Sequence, residues 1–163
     1  MRKTLILILA LTAILVVPAA ALAQQLVYVV RHAERADDPL RDQPDPALSA
    51  TGEKRAARLA TTLGEAGIRA IYVTQFKRTQ QTAAPIAARL KLQPSVMPAS
   101  VTALAVELKS RHGGDIVLLV AHSSTMPAII KGLGGPTVNV DDSDYDSFFV
   151  VVPSTGATSR LKF

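Results

Sequence analysis

The sequence predicts an α/β fold, three layers deep (α/β/α) around a mostly parallel central sheet. Three observations lead there. Short apolar runs rich in β-branched residues occupy 26–30, 68–73 and 116–121. Such runs read as strands buried on both faces. Segments with apolar residues at helical spacing separate them, so strands alternate with helices as a parallel sheet requires. Each run is also followed within a few residues by a basic side chain: Arg31 and His32, then Arg78, then His122. In open α/β sheets ligands bind at the carboxyl ends of strands.

Length and composition narrow the possibilities. The chain has 163 residues, enough for one domain. Hydrophobic content of 48% and charged content of 19% suit a packed core. Aromatic residues make up 4%, which leaves little from which to build a base-stacking platform, so nucleic acid is not an expected partner. Residues 1–23 read as a secretory leader. Arg2 and Lys3 form the charged start, residues 5–17 form an apolar run, and Ala21-Leu22-Ala23 is an A-x-A type cleavage site. The apolar run is shorter than the ~20 residues a spanning helix needs. An uncleaved leader would be the one expected link to a membrane. Cleavage after Ala23 leaves a single domain over 24–163 and a periplasmic or secreted location. Losing Arg2 and Lys3 lowers the formal charge from +5 to +3, compatible with a small anionic substrate. The chain lacks cysteine, which excludes disulfides, a lipidated N-terminus, a thiolate nucleophile and a cysteine-based zinc site.

The elements follow in order. After the first strand, residues 37–46 are rich in proline and aspartate and read as a loop placed to cover a site at His32. A helix opens near Leu48, capped by Ser49 or Thr51. Ala56, Leu59, Ala60 and Leu63 give it an apolar stripe. Lys54, Arg55 and Arg58 fall off that stripe and read as a solvated face. Gly64 or Gly67 ends the helix. The second strand, 68–73, leads to a helix from Lys77 through Leu90, with Pro85 read as early in it. Arg78 stands where that helix begins, a position favourable to an anion. A short third strand is expected within 93–98, a helix over 100–111 and a buried strand over 116–121. Ser123, Ser124 and Thr125 cap a helix over 126–133. Residues 148–152 and 158–163 read as final strands, a hairpin around 153–156.

Arg31, His32, Arg78 and His122 are thus expected on one rim. Two guanidiniums and two imidazoles make a site for a dianion, because guanidinium matches phosphate in bidentate geometry. One imidazole can attack phosphorus. The attacking nitrogen must be unprotonated, and nearby arginines push its pKa down. An acceptor must hold the other ring nitrogen to fix the tautomer.

These motifs resemble those of the histidine phosphatase superfamily, the phosphoglycerate-mutase-like proteins, in its short single-domain branch. Arg31-His32-Ala33-Glu34 is similar to the family's Arg-His-Gly motif, and Leu48-Ser49-Ala50-Thr51-Gly52 to its Leu-Ser/Thr-x-x-Gly helix start. Residues 76–83 resemble its second arginine motif and 120–123 its second histidine motif. The resemblance implies that His32 is the phosphorylated nucleophile. It implies that Arg31, Arg78 and His122, with Ser123 beside them, bind the phosphoryl group. It implies hydrolysis of phosphomonoesters or phosphoramidates without metal or cofactor, on a small phosphorylated molecule or a phosphoprotein. A non-catalytic phosphoanion-binding module and a phosphotransferase or mutase are the alternatives.

Two departures stand out. Ala33 replaces the usual glycine. The general acid lacks its usual place, because Ser123, not aspartate, follows His122. Glu34 is first choice by proximity, with Asp37 and Asp38 near it, although Glu34 could instead partner an arginine. Glu107 and Asp115 read as badly placed. Arg111-His112-Gly113 spells the family tripeptide but falls at a helix end, where basic residues and glycine are capping chemistry. Residues 132–135 lack the Gly-Lys-Ser/Thr of a phosphate loop. Residues 141–146 read as a solvated acidic turn, not a calcium loop.

Overall fold

The computed structural model describes residues 25–36 and 45–163. The expected leader and most of the expected covering loop, with Asp37 and Asp38, lie outside the described residues. The elements run β1 (Leu26–Arg31), α1 (Ala50–Leu63), β2 (Ile68–Val73), α2 (Lys77–Leu90), β3 (Ser95–Val96), α3 (Val101–His112), β4 (Ile116–Ala121), α4 (Met126–Gly132), β5 (Ser147–Val152) and β6 (Ala157–Lys162).

Six strands form one sheet in the order β3-β2-β4-β1-β5-β6. Alternate side chains of the central strands serve opposite layers. Val27 and Val29 join Leu104, Leu108, Met126 and Ile130 on the face covered by α3 and α4. Val30, Leu118 and Val120 join Leu59, Leu63, Ala83 and Ile86 on the face covered by α1 and α2. Both faces are dry, which is why β4 reads as an unbroken apolar run.

The three-layer expectation holds, but the sheet is mixed rather than mostly parallel. β3, β2, β4 and β1 pair in parallel, whereas β5 pairs antiparallel with both β1 and β6. The cause lies after α4. Residues 133–146, without helix or strand, carry the chain from the end of α4 back to the rim where β1 finishes. β5 therefore starts at that rim and runs the other way, and Phe148 pairs with Val30.

Local expectations fare variously. Ser49, not Thr51, caps α1, its hydroxyl accepting from Gly52 N–H at 3.1 Å. Pro85 is the ninth residue of α2, well inside it. The helix persists because Ala83, Ile86 and Ala87 beside the proline are buried in the core, and packing overrides propensity. Arg55 and Arg58 are not idle on a solvated face. Arg55 pairs with Glu34 at 2.6 Å, and Arg58 donates to the Phe163 carbonyl.

Gly52 ties the first helix to the end of β1. A Cβ placed there would lie 2.1 Å from the Glu34 carbonyl oxygen, with Glu34 backbone carbon and nitrogen close behind. That approach lets Ser49 N–H donate to the same carbonyl at 2.9 Å. Gly52→Ala should therefore cost about 2–3 kcal/mol, since backbone, unlike a side-chain tip, cannot swing aside. Chemical denaturation of the two proteins reads that loss as a lower midpoint, and an unchanged midpoint would refute the contact.

Candidate active site

Register brings the two histidines together. Arg31 pairs with Ala121 across the β1–β4 ladder, and His32 N–H continues it by donating to the Ala121 carbonyl at 2.9 Å. The next residue on each strand is then a histidine, and the rings meet edge to face with centroids 5.2 Å apart. The cleft above them has a volume of about 360 Å³. Arg31, His32, Arg78, His122 and Ser123 all line it, so the structure assembles the expected set; Glu34 is not among the lining residues.

His32 is 6% exposed. Its Nδ1 lies 2.7 Å from the Ala33 carbonyl oxygen. A carbonyl only accepts, so Nδ1 carries the proton and Nε2 keeps its lone pair. Burial lowers the pKa of His32 to about 4, opposed by that backbone hydrogen bond and reinforced by His122, Arg78 and Arg31. His122 is likewise lowered to about 4, by burial and then by Arg78 and Arg31. The turn after His32 is fixed by Thr82, whose hydroxyl accepts from Ala33 N–H at 2.9 Å and donates to the Arg78 carbonyl at 2.7 Å. The alanine in the glycine position is absorbed, because Ala33 packs buried against Leu48 and Ala56.

Arg31 is 7% exposed and held by a segment that sequence reasoning assigned to solvent. Its Nη1 donates to the Asp142 carbonyl at 2.5 Å, its Nη2 donates to Tyr145 Oη at 3.0 Å, and the guanidinium lies 3.8 Å from the Tyr145 ring centre. Arg31 Nε is buried without a hydrogen-bond partner among the described residues. Asp142 and Tyr145 line the cleft, with Arg35 and Ser124. The acidic run is therefore not merely a solvated turn. Asp144, at 9% exposure, pairs with Arg160, and Asp142 accepts from Ser123 Oγ at 2.5 Å. One signal was available: an aromatic residue, Tyr145, inside a polar run.

Arg78 opens α2 and stacks on Phe76, 4.3 Å from the ring centre. Its Nη1 lies 3.6 Å from Asp45, whose carboxylate also accepts from Lys77 N–H at 3.0 Å. Glu34 turns away from the histidines. Arg55 donates to both its oxygens at 2.6–2.9 Å and holds its carboxyl below the usual range, hence ionised. Asp142 is the carboxylate that lines the cleft among the described residues. Glu107 and Asp115 are engaged elsewhere, with Tyr72 and His112. No group of three or more His, Asp or Glu able to hold a metal occurs among the described residues.

Comparison with known proteins adds three findings. A family model described as histidine phosphatase superfamily (branch 1) matches residues 27–100. The PE-PGRS family protein PE_PGRS11 of Mycobacterium tuberculosis is 45% identical over 56 residues, 34% of this chain and 10% of that protein. The chain thus spans about a tenth of the length of that relative. Among solved structures, the protein histidine phosphatase SixA complexed with tungstate superposes with a TM-score of 0.65 at 20% identity, covering 83% of this chain and 94% of that one. A mycobacterial glucosyl-3-phosphoglycerate phosphatase superposes with a TM-score of 0.60 at 16% identity, covering 85% and 97%. The two structures share the fold.

Both site histidines should be neutral at pH 7. Their imidazole resonances should titrate near pH 4 instead of 6.5. The sign for stability follows by linkage. Between about pH 6.5 and 4 the unfolded chain binds protons that the folded chain refuses, so stability should fall as pH drops through that window. Midpoints of either ring near 6.5, followed by NMR, would contradict the desolvated site.

Proposed function

We propose that the chain, whose residues 27–100 match a model of the histidine phosphatase superfamily (branch 1), is an exported phosphatase of that superfamily working through a phosphohistidine on His32. One observation carries the reading. His32 has its Nδ1 proton committed to the Ala33 carbonyl, while its other nitrogen, free to attack, belongs to a cleft shared with Arg31, Arg78 and His122.

The reaction follows from that geometry. Nε2 of neutral His32 attacks phosphorus, an N–P bond forms, and the bond from phosphorus to the leaving oxygen or nitrogen breaks. Charge spread over the phosphoryl oxygens meets guanidinium groups already in place, which need little reorganisation. Arg31 is suited to this because its Nη groups are hydrogen-bonded to the Asp142 carbonyl and the Tyr145 phenol, while the exposed Asp142 carboxylate stands 3.8 Å off. Its unpartnered buried Nε marks a donor that an incoming oxygen would satisfy. Water then attacks phosphohistidine, the N–P bond breaks, and inorganic phosphate leaves.

Glu34, held ionised by Arg55, serves as that arginine's anchor and not as the proton donor. Asp142 is the better-placed carboxylate for a phosphoester leaving group. A phosphoramidate leaving group needs little help from an acid. Among the described residues the cleft wall carries guanidinium, imidazole, hydroxyl, phenol and carboxylate groups and no aliphatic side chain. That suits a polar leaving group, such as a phosphorylated sugar or protein side chain. Export rests on the leader read in residues 1–23. Gln24 at the N-terminus of chain recovered outside the cytoplasm would bear it out, and Met1 retained there would refute cleavage.

The decisive experiment assays phosphate release from an aryl phosphate with a chelator present, beside His32→Ala. Activity should fall by roughly three orders of magnitude or more in the variant. Acid-quenched wild-type enzyme should carry an acid-labile, base-stable phosphate on His32. No turnover, together with phosphate-analogue binding that needs Arg31 and Arg78, would make the protein a phosphoanion-binding module instead.

A further inference from the structure

A half-buried chain of hydroxyls leads from the start of α2 to His122. Thr79, 0% exposed, lies 2.8 Å from the Phe76 carbonyl and 3.1 Å from the Thr74 carbonyl. Two carbonyl oxygens so close to a single hydroxyl require its proton, since lone pairs facing lone pairs at that distance repel. Thr79 has one proton and spends it there. Its oxygen is then left to accept, from Thr74 N–H at 3.2 Å and from the Thr74 hydroxyl at 2.9 Å. Thr74 has now spent its own proton in turn. Its oxygen, 3.1 Å from His122 Nε2, has to be the acceptor, and the proton lies on Nε2. Every hydroxyl proton in the chain is used once, in one direction.

The outcome for His122 is opposite to that for His32. His32 holds its proton on Nδ1 and keeps a lone pair on Nε2, whereas His122 holds its proton on Nε2 and keeps a lone pair on Nδ1. Nδ1 of His122 makes no hydrogen bond to a described residue. Both rings are held neutral by burial and by the same two arginines. Among the described residues, the charged and titratable groups around the cleft are Arg31 at the end of β1, His32 and Arg35 beyond it, Arg78 from α2, and Asp142 and Tyr145 from the segment before β5. The Phe76 ring flanks His122 at 5.3 Å. The dianion of a phosphomonoester offers only acceptors, and so does a neutral imidazole nitrogen without its hydrogen. The two cannot hydrogen-bond unless a proton is added between them.

We propose that Thr74, held by Thr79, is a positioning residue that fixes His122 as the Nε2–H tautomer, so that the site takes up a phosphoryl dianion together with one proton from solvent. The second half rests on the reading of the cleft as a phosphoryl site. The balance is simple: neutral His122, a dianion and one proton give a complex in which the proton is shared between Nδ1 and a phosphoryl oxygen. No covalent bond changes. For a phosphomonoester, whose second ionisation is near about 6, binding should weaken roughly tenfold per pH unit above that value, with the change carried in KM rather than kcat.

Two measurements test this on the wild-type protein and on Thr74→Ser and Thr74→Val. Imidazole nitrogen shifts, assigned by loss of a resonance in His122→Gln, should show Nε2 protonated and Nδ1 bare. Calorimetry with a non-hydrolysable phosphonate, above its second ionisation so that it has only acceptors, in buffers of differing ionisation enthalpy, should show uptake of about one proton per phosphonate bound. Thr74→Ser should keep both results. Thr74→Val frees the ring to place its proton on Nδ1, so uptake should fall towards zero and the alkaline rise in KM should flatten. A wild-type His122 protonated on Nδ1, or the phosphonate dianion bound with no proton uptake, overturns the proposal. Should Thr74→Val not fold, the wild-type shifts and proton count decide alone. Failure of the phosphonate to bind, with His122 bare at Nδ1, would refute the phosphoryl site and uphold the positioning role of Thr74.

Discussion

The structure depends first on the register of one parallel ladder. Val29 faces Leu119, Val30 faces Val120 and Arg31 faces Ala121, so the residues just beyond both strands, His32 and His122, share one place on the rim. Side chains alternate along a strand, and a slip of one residue would send each core valine to the wrong layer. The two dry faces of the sheet forbid that slip, because Val27 and Val29 belong to one layer and Val30 to the other. Core packing thus aligns the chemistry. The apolar residues that stabilise the fold set the 5.2 Å between imidazole rings without touching a ligand.

A second constraint is how charge is stored. Arg31, Arg78 and two imidazoles, one buried and one half-buried, share a cleft and would repel if all were protonated. Desolvation keeps the imidazoles neutral, and the arginines stay charged. Each guanidinium is then braced in its own way. Arg31 lies against backbone carbonyls and the Tyr145 face, and Arg78 lies over Phe76 with Asp45 near. Aromatic faces suit this task, since they attract a cation without cancelling its charge.

Much of the fold was legible because its strands are buried on both sides. β2, β4 and α2 announce themselves by apolar runs, helical spacing and abrupt polar ends. The four central site residues were legible for the same reason, each standing just past such an end. What escaped notice depends on partners distant in sequence. Tyr145 and Asp142 sit in a polar segment without periodicity, and their importance appears only once β5 runs antiparallel beside β1. Arg55 looks like any exposed helix cation until Glu34 is folded against it. Pro85 reads as a helix-start residue by local rule, yet burial of its neighbours keeps it mid-helix. Strand direction is invisible in β5, whose apolar run looks the same either way.

The antiparallel course of β5 also sets an order in time. His32 comes just after the first strand, His122 ninety residues later, and the phenol bracing Arg31 more than a hundred residues after that arginine. Contacts so far apart along the chain close slowly, since loop entropy is spent before they form. A nascent chain therefore shows the His32 imidazole long before the cleft exists. Chemistry waits on the C-terminal hairpin, so a chain interrupted before Tyr145 would keep the motif while lacking a brace for Arg31.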